Sequence, residues 1–112
     1  MSERKTYNLL VLIYLSKDSA MPRIQEDLPQ VIETLARASK EAPHVAFRST
    51  DAIVSGFLIQ THKAPQFIGH DLDRCQGLNS RDSYFVMELG AEFMGFGEFT
   101  RAHTWLQHHK SQ

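Results

Sequence analysis

The sequence predicts an α+β fold, a four-stranded antiparallel sheet with two helices on one face, and three observations carry the prediction. The run Tyr7 to Leu15 is apolar on both faces, as a central strand must be. Strand-like and helix-like periodicities then alternate in the order βαββαβ. With 112 residues and no repeat or low-complexity tract, the chain forms one domain, 1–112. Such a length buries roughly 65% of the surface of the unfolded chain, so the fold requires no disulfide or metal staple.

The first strand places Leu9, Val11 and Ile13 on one face and Leu10, Leu12 and Tyr14 on the other. After a polar loop, Asp27-Leu28-Pro29-Gln30 carries the signals of a helix start: Asp27 as N-cap, Pro29 in the first turn and Gln30 at the capping-box position. Ile24, four residues ahead of Leu28, also allows an earlier start near Pro22 with a kink. Leu28, Val31, Ile32, Leu35 and Ala38 make the buried stripe, and the helix stops before Pro43. His44 to Ser49 and Ile53 to Thr61 read as a hairpin turning at Thr50-Asp51-Ala52.

Pro65 opens a second helix with Ile68, Leu72 and Cys75 on its apolar stripe, ended by Gly77 and Asn79-Ser80. Ser83 to Leu89 is the fourth strand, alternating Phe85, Met87 and Leu89 against Tyr84, Val86 and Glu88. An aromatic, glycine-rich tail follows from Gly90 to Phe99, and Thr100 caps a short last helix carrying Trp105 and Leu106. The order is that of the ferredoxin-like split βαβ arrangement with a C-terminal strand or helix extension.

Twelve basic residues against thirteen acidic ones leave a formal charge of −1, so any attraction for polyanions must come from a local patch. The single cysteine, Cys75, excludes an intramolecular disulfide, and its place on an apolar stripe marks a small core residue. A charged N-terminus without a small-residue cleavage site, and the absence of a long apolar stretch, predict a cytoplasmic protein that does not span a membrane. No GxSxG, GxxxxGK[ST], GxGxxG or CxxC motif occurs.

A two-layer fold leaves the second face of its sheet open, yet the strands here are apolar on both faces. A second copy packed about a twofold axis covers it most simply, which predicts a homodimer with Leu10, Leu12, Tyr14, Phe93 and Phe96 in the interface. The competing cover is the chain's own tail with Trp105, folded back over the open face.

Asp51 to Thr61, then a short helix, then Asn79 to Leu89, resemble the small CRISPR-associated adaptation nuclease family and its SinR-like and VapD-like relatives. The closing Phe93-Met94-Gly95-Phe96-Gly97 and Ala102 to Leu106 look like the tail of SinR-like members. The resemblance spans most of the chain at the level of pattern. It implies a dimer whose first-strand tips each present an aspartate to a divalent metal for cleavage of RNA or DNA, or, in non-catalytic members, a scaffold holding duplex.

In this sequence Leu15 stands where the aspartate would be, and the nearest acid is Asp18, beyond Lys17. The expectation is therefore a non-catalytic homodimeric module without cofactor that binds nucleic acid or a protein partner. Lys17, Arg23 and Arg48 are the candidates for phosphate contact. Two alternatives stay open. One is a metal-dependent endonuclease or toxin-type ribonuclease using Asp18 with a divalent metal such as Mg; the other is a protein-protein interaction subunit with no nucleic-acid role. His70 with Asp73 or Arg74, at i, i+3 and i+4, is a further polar pair, read as the solvated face of the second helix.

Overall fold

A computed structural model describes residues 5–16, 21–49, 53–90 and 100–109, with the backbone alone for 21–24. Its elements are β1 (Tyr7–Tyr14), α1 (Met21–Ala38), β2 (His44–Arg48), β3 (Val54–Thr61), α2 (Pro65–Asp73), β4 (Ser83–Glu88) and α3 (Thr100–His108). The strands form one antiparallel sheet in the order β2-β3-β1-β4. This is the ferredoxin-like arrangement predicted above, with β1 and β3 central because their residues are apolar on both faces.

Directly opposed residues of antiparallel strands share a face, so the register separates two cores. Leu9, Val11 and Ile13 of β1 lie beside Ile59, Phe57 and Ser55 of β3 and beside Glu88, Val86 and Tyr84 of β4. That face is buried under Val31 and Leu35 of α1 and Ile68 and Leu72 of α2. The other face carries Leu10 beside Leu58 and Met87, and Leu12 beside Gly56 and Phe85. There Leu58 and Ala46 pack with Ala102, Trp105 and Leu106 of α3. The last helix thus folds back over its own sheet, on the β2/β3 half.

A β-bulge between Val45 and Phe47 of β2 adjusts that half. The bulge lets both Ala46 and Phe47 join the α3 cluster, and Phe47 lies across β3 at Gly56. A Cβ at Gly56 would stand 2.3 Å from the Phe47 ring, which is why the strand carries glycine there.

One helix end is corrected and another decided. The second helix stops at Asp73 with Arg74 as its C-cap, so Cys75 lies past it, in the core but not on the helix. Of the two starts the sequence allows for the first helix, the earlier one near Pro22 holds: α1 begins at Met21, and Asp27 lies within it instead of capping it. Pro29 sits in the helix interior, where it withholds the N–H that would serve the Gln25 carbonyl. Pro29 and Gln25 are both exposed, so water can reach that turn, and the Gln30 side-chain amide donates to the Glu26 carbonyl at 3.4 Å. The hairpin tip 50–52 and the tail 91–99, with Phe93 and Phe96, lie outside the described residues. No described helix is long and apolar enough to cross a membrane.

Candidate functional site

The tip of β1 is the first place to look, because the resemblance puts chemistry there. Leu15 continues the stripe of Leu9, Val11 and Ile13, is fully buried, and belongs to the core under α1 and α2. Its N–H donates to the Ile53 carbonyl at 2.8 Å. The side chain at this position faces the interior, so a carboxylate would stand among apolar groups.

An acid does meet the strand tip, from a neighbouring strand. Asp82, just ahead of β4, accepts the Ser16 N–H through Oδ1 at 2.9 Å and the Asn79 N–H through Oδ2 at 2.8 Å. Both oxygens are engaged by backbone, and the carboxylate closes the turn that delivers β4 to the side of β1. Sequence spacing gave no hint of this, since Ser16 and Asp82 are brought together only by the β1–β4 pairing.

Lys17 and Asp18 lie outside the described residues, and so does the side chain of Arg23, whose backbone is in the first turn of α1. Arg48 is exposed at the end of β2 and pairs across to Ser55, which pairs in turn with Ile13. That register puts Arg48 at the same end of the sheet as the tip of β1. Of the predicted interface residues, Leu10 packs against the α3 cluster, while Leu12 and Tyr14 are half-buried on the remainder of that face.

The most elaborate polar constellation holds α3 in place. His44, Trp105 and His109 stack, with ring centroids 6.1 Å apart for the first pair and 3.9 Å for the second. His109 Nδ1 faces the Trp105 carbonyl at 2.7 Å, and Nε2 faces a Glu41 carboxylate oxygen. The His109 carbonyl accepts from the Asn8 side-chain amide and from Gln60 at 3.3 Å, and Gln60 also donates to Asn8 Oδ1 at 3.2 Å. Asn8 is almost fully buried yet satisfied, because it receives the end of a helix whose last carbonyls need donors.

His44 differs from His109: its Nε2 is buried with no hydrogen-bond partner among the described residues. Burial first, then the nearby charges of Arg101 and His109, lower its pKa below the ordinary 6.5. The folded state therefore favours neutral His44. This contribution is fully present above pH about 6.5 and is lost as the pH falls through the lower folded value. His44→Gln should flatten the loss of melting temperature on acidification relative to the unmodified chain; equal slopes in a thermal-melt series across that range would contradict this.

At the opposite edge, a cleft of about 320 Å³ runs between α2 and β4, lined by Pro65, Gln66, Gly69, His70, Asp73, Tyr84, Phe85 and Val86. The Tyr84 hydroxyl bridges strand and helix, 2.7 Å from Asp73 Oδ1 and 3.1 Å from the Gly69 carbonyl. The hydrogen bond to Asp73, with burial and the carboxylate charge adding to it, raises the Tyr84 pKa. The phenol stays protonated and acts as a fastener, not as a base. His70 and Asp73 line the same cleft, but among the described residues no three His, Cys, Asp or Glu side chains are placed to share a metal ion. Cys75 is buried and accepts the Thr34 hydroxyl at 3.4 Å, in keeping with a core role.

On the face bearing α3, the β1/β4 half is more open. Phe85 is 56% exposed, and Leu12, Tyr14 and Met87 around it are half-buried. No protein-family model, curated protein or solved structure matches the chain.

Proposed function

We propose that the chain is a non-catalytic homodimeric binding module whose working surface is the open β1/β4 half of the sheet, formed by Leu12, Tyr14, Phe85 and Met87. One observation carries this reading: a large aromatic, Phe85, stands 56% exposed among apolar neighbours on a face that α3 covers elsewhere. Patches of this kind mark surfaces that meet a partner. The resemblance to non-catalytic members of the adaptation nuclease and SinR-like proteins supports the same reading through the order of the elements. The buried Leu15 removes the position from which a strand-tip acid would work.

The surface is apolar and the formal charge of the chain is −1, which favours a protein partner, a second copy included, over a bare polyanion. Nucleic acid is the second reading, supported by Arg48 at the same end of the sheet as the tip of β1. It assigns phosphate contact to Arg48, Lys17 and Arg23.

Gel mobility of labelled single-stranded RNA and duplex DNA separates the two readings. Nucleic-acid binding retards the label at low salt and loses that retardation steeply as salt rises, whereas a purely protein-directed module leaves mobility unchanged. Incubation of the same substrates with magnesium or manganese should leave them intact. Cleavage that disappears in Asp18→Ala would overturn the non-catalytic assignment.

A further inference from the structure

Among the described residues the sheet has two outer strands, and they differ in a way that selects one of them for pairing. At one edge β2 is irregular, broken by the bulge between Val45 and Phe47, and ends in the exposed Arg48. Bulges and edge charges are the devices that keep a strand from being extended. At the other edge β4 pairs with β1 without a register shift, and its centre, Tyr84-Phe85-Val86-Met87, carries no charge.

The outward groups of β4 follow from its ladder. The Leu89 N–H donates to the Asn8 carbonyl at 2.9 Å, so the pair Asn8 and Leu89 is of the hydrogen-bonded kind. Counting in twos, Met87, Phe85 and Ser83 turn their backbone toward β1, while Glu88, Val86 and Tyr84 turn theirs away from the sheet. Tyr84 and Val86 also line the cleft beside α2. Phe85, on β4 itself, is 56% exposed.

We infer that the occupant of this edge is β4 of a second copy, paired antiparallel about a twofold axis through Val86, so that two four-stranded sheets become one of eight. The inference rests on the homodimeric reading and supplies its geometry. In this register Val86 opposes its symmetry mate and Tyr84 opposes Glu88, all with outward backbone groups, while Phe85 opposes Met87 in the intervening pairs. The register centred on Phe85 would set Asp82 opposite Glu88, a like-charge pair, and is disfavoured.

The strand order becomes β2-β3-β1-β4 followed by its mirror sequence in the partner. The open halves of both copies then adjoin at the centre of one face, bordered at each end by an α3 helix. Leu12, Tyr14, Phe85 and Met87 of two copies form one continuous apolar floor, so the proposed working surface is complete only in the dimer.

Val86→Pro tests the edge. Val86 makes no ladder bond to β1, so proline removes its outward donor and leaves the β1–β4 hydrogen bonds in place. The dimer dissociation constant should rise by about 100-fold, two reciprocal hydrogen bonds being lost across the axis. Amide hydrogen exchange on the unmodified chain gives a second readout independent of how the variant folds. The Tyr84, Val86 and Glu88 amides should be protected at high concentration and lose that protection on dilution. A wild-type dimer in which these amides exchange freely, or a folded Val86→Pro variant that dimerises as tightly as the wild type, overturns the edge pairing and leaves the homodimer standing. A wild-type chain that is monomeric throughout overturns the homodimer itself.

Discussion

Leu15→Asp is expected to unfold the chain and to confer no metal-dependent cleavage. The substitution places a carboxylate at a fully buried position in the core under α1 and α2. An ionised group without partners in such a place, or the protonation needed to avoid it, costs more than about 4 kcal/mol, a large part of the stability of a typical domain. Leu15→Met, of similar volume, should cost less than about 1.5 kcal/mol. Far-UV circular dichroism with a denaturant titration checks both. A folded Leu15→Asp protein that gains magnesium-dependent cleavage would show that the tip of β1 is a decayed metal site and not a core position.

Trp105→Ala should be the most damaging change on the other face, at about 3–5 kcal/mol. Its ring is 9% exposed and lies between His44 and His109, packing α3 against Ala46 and Leu58. Losing it removes the central contact of a nine-residue helix that is too short to persist by itself. The β1–β3 core on the opposite face does not contain Trp105. Chemical denaturation should therefore show early release of α3 ahead of the main transition, seen as rapid exchange of the 100–108 amides. A single unshifted transition would contradict the anchoring role of Trp105.

Most of the fold was legible because burial imposes simple periods. The double apolar face of β1 announced a central strand, and Ile68 and Leu72 announced α2, although Cys75, read on the same stripe, lies past the helix end at Asp73. The sequence left the start of α1 open between Asp27 and Pro22 for a local reason. Asp27, Pro29 and Gln30 are good capping residues, but a proline on an exposed face is tolerated inside a helix where water can reach the one freed carbonyl, that of Gln25. Capping signals are local, whereas the extent of a helix is settled by what it packs on.

The candidate site was less legible because its contacts are long-range. Nothing near Asp82 in the sequence points to Ser16, and nothing near His109 points to Asn8 or Glu41. For the second sheet face the apolar pattern pointed first to a partner copy and left the chain's own tail as the competing cover. The structure divides that face: α3 takes the β2/β3 half, and Leu12, Tyr14, Phe85 and Met87 remain on the β1/β4 half. That division is what turns an unspecific apolar strand into a located surface.

Sedimentation equilibrium of the unmodified chain over a wide concentration range tests the central claim most directly. A homodimeric module sediments at twice the monomer mass of 12.8 kDa at high concentration and approaches that monomer mass on dilution. A mass of 12.8 kDa at every concentration would contradict it.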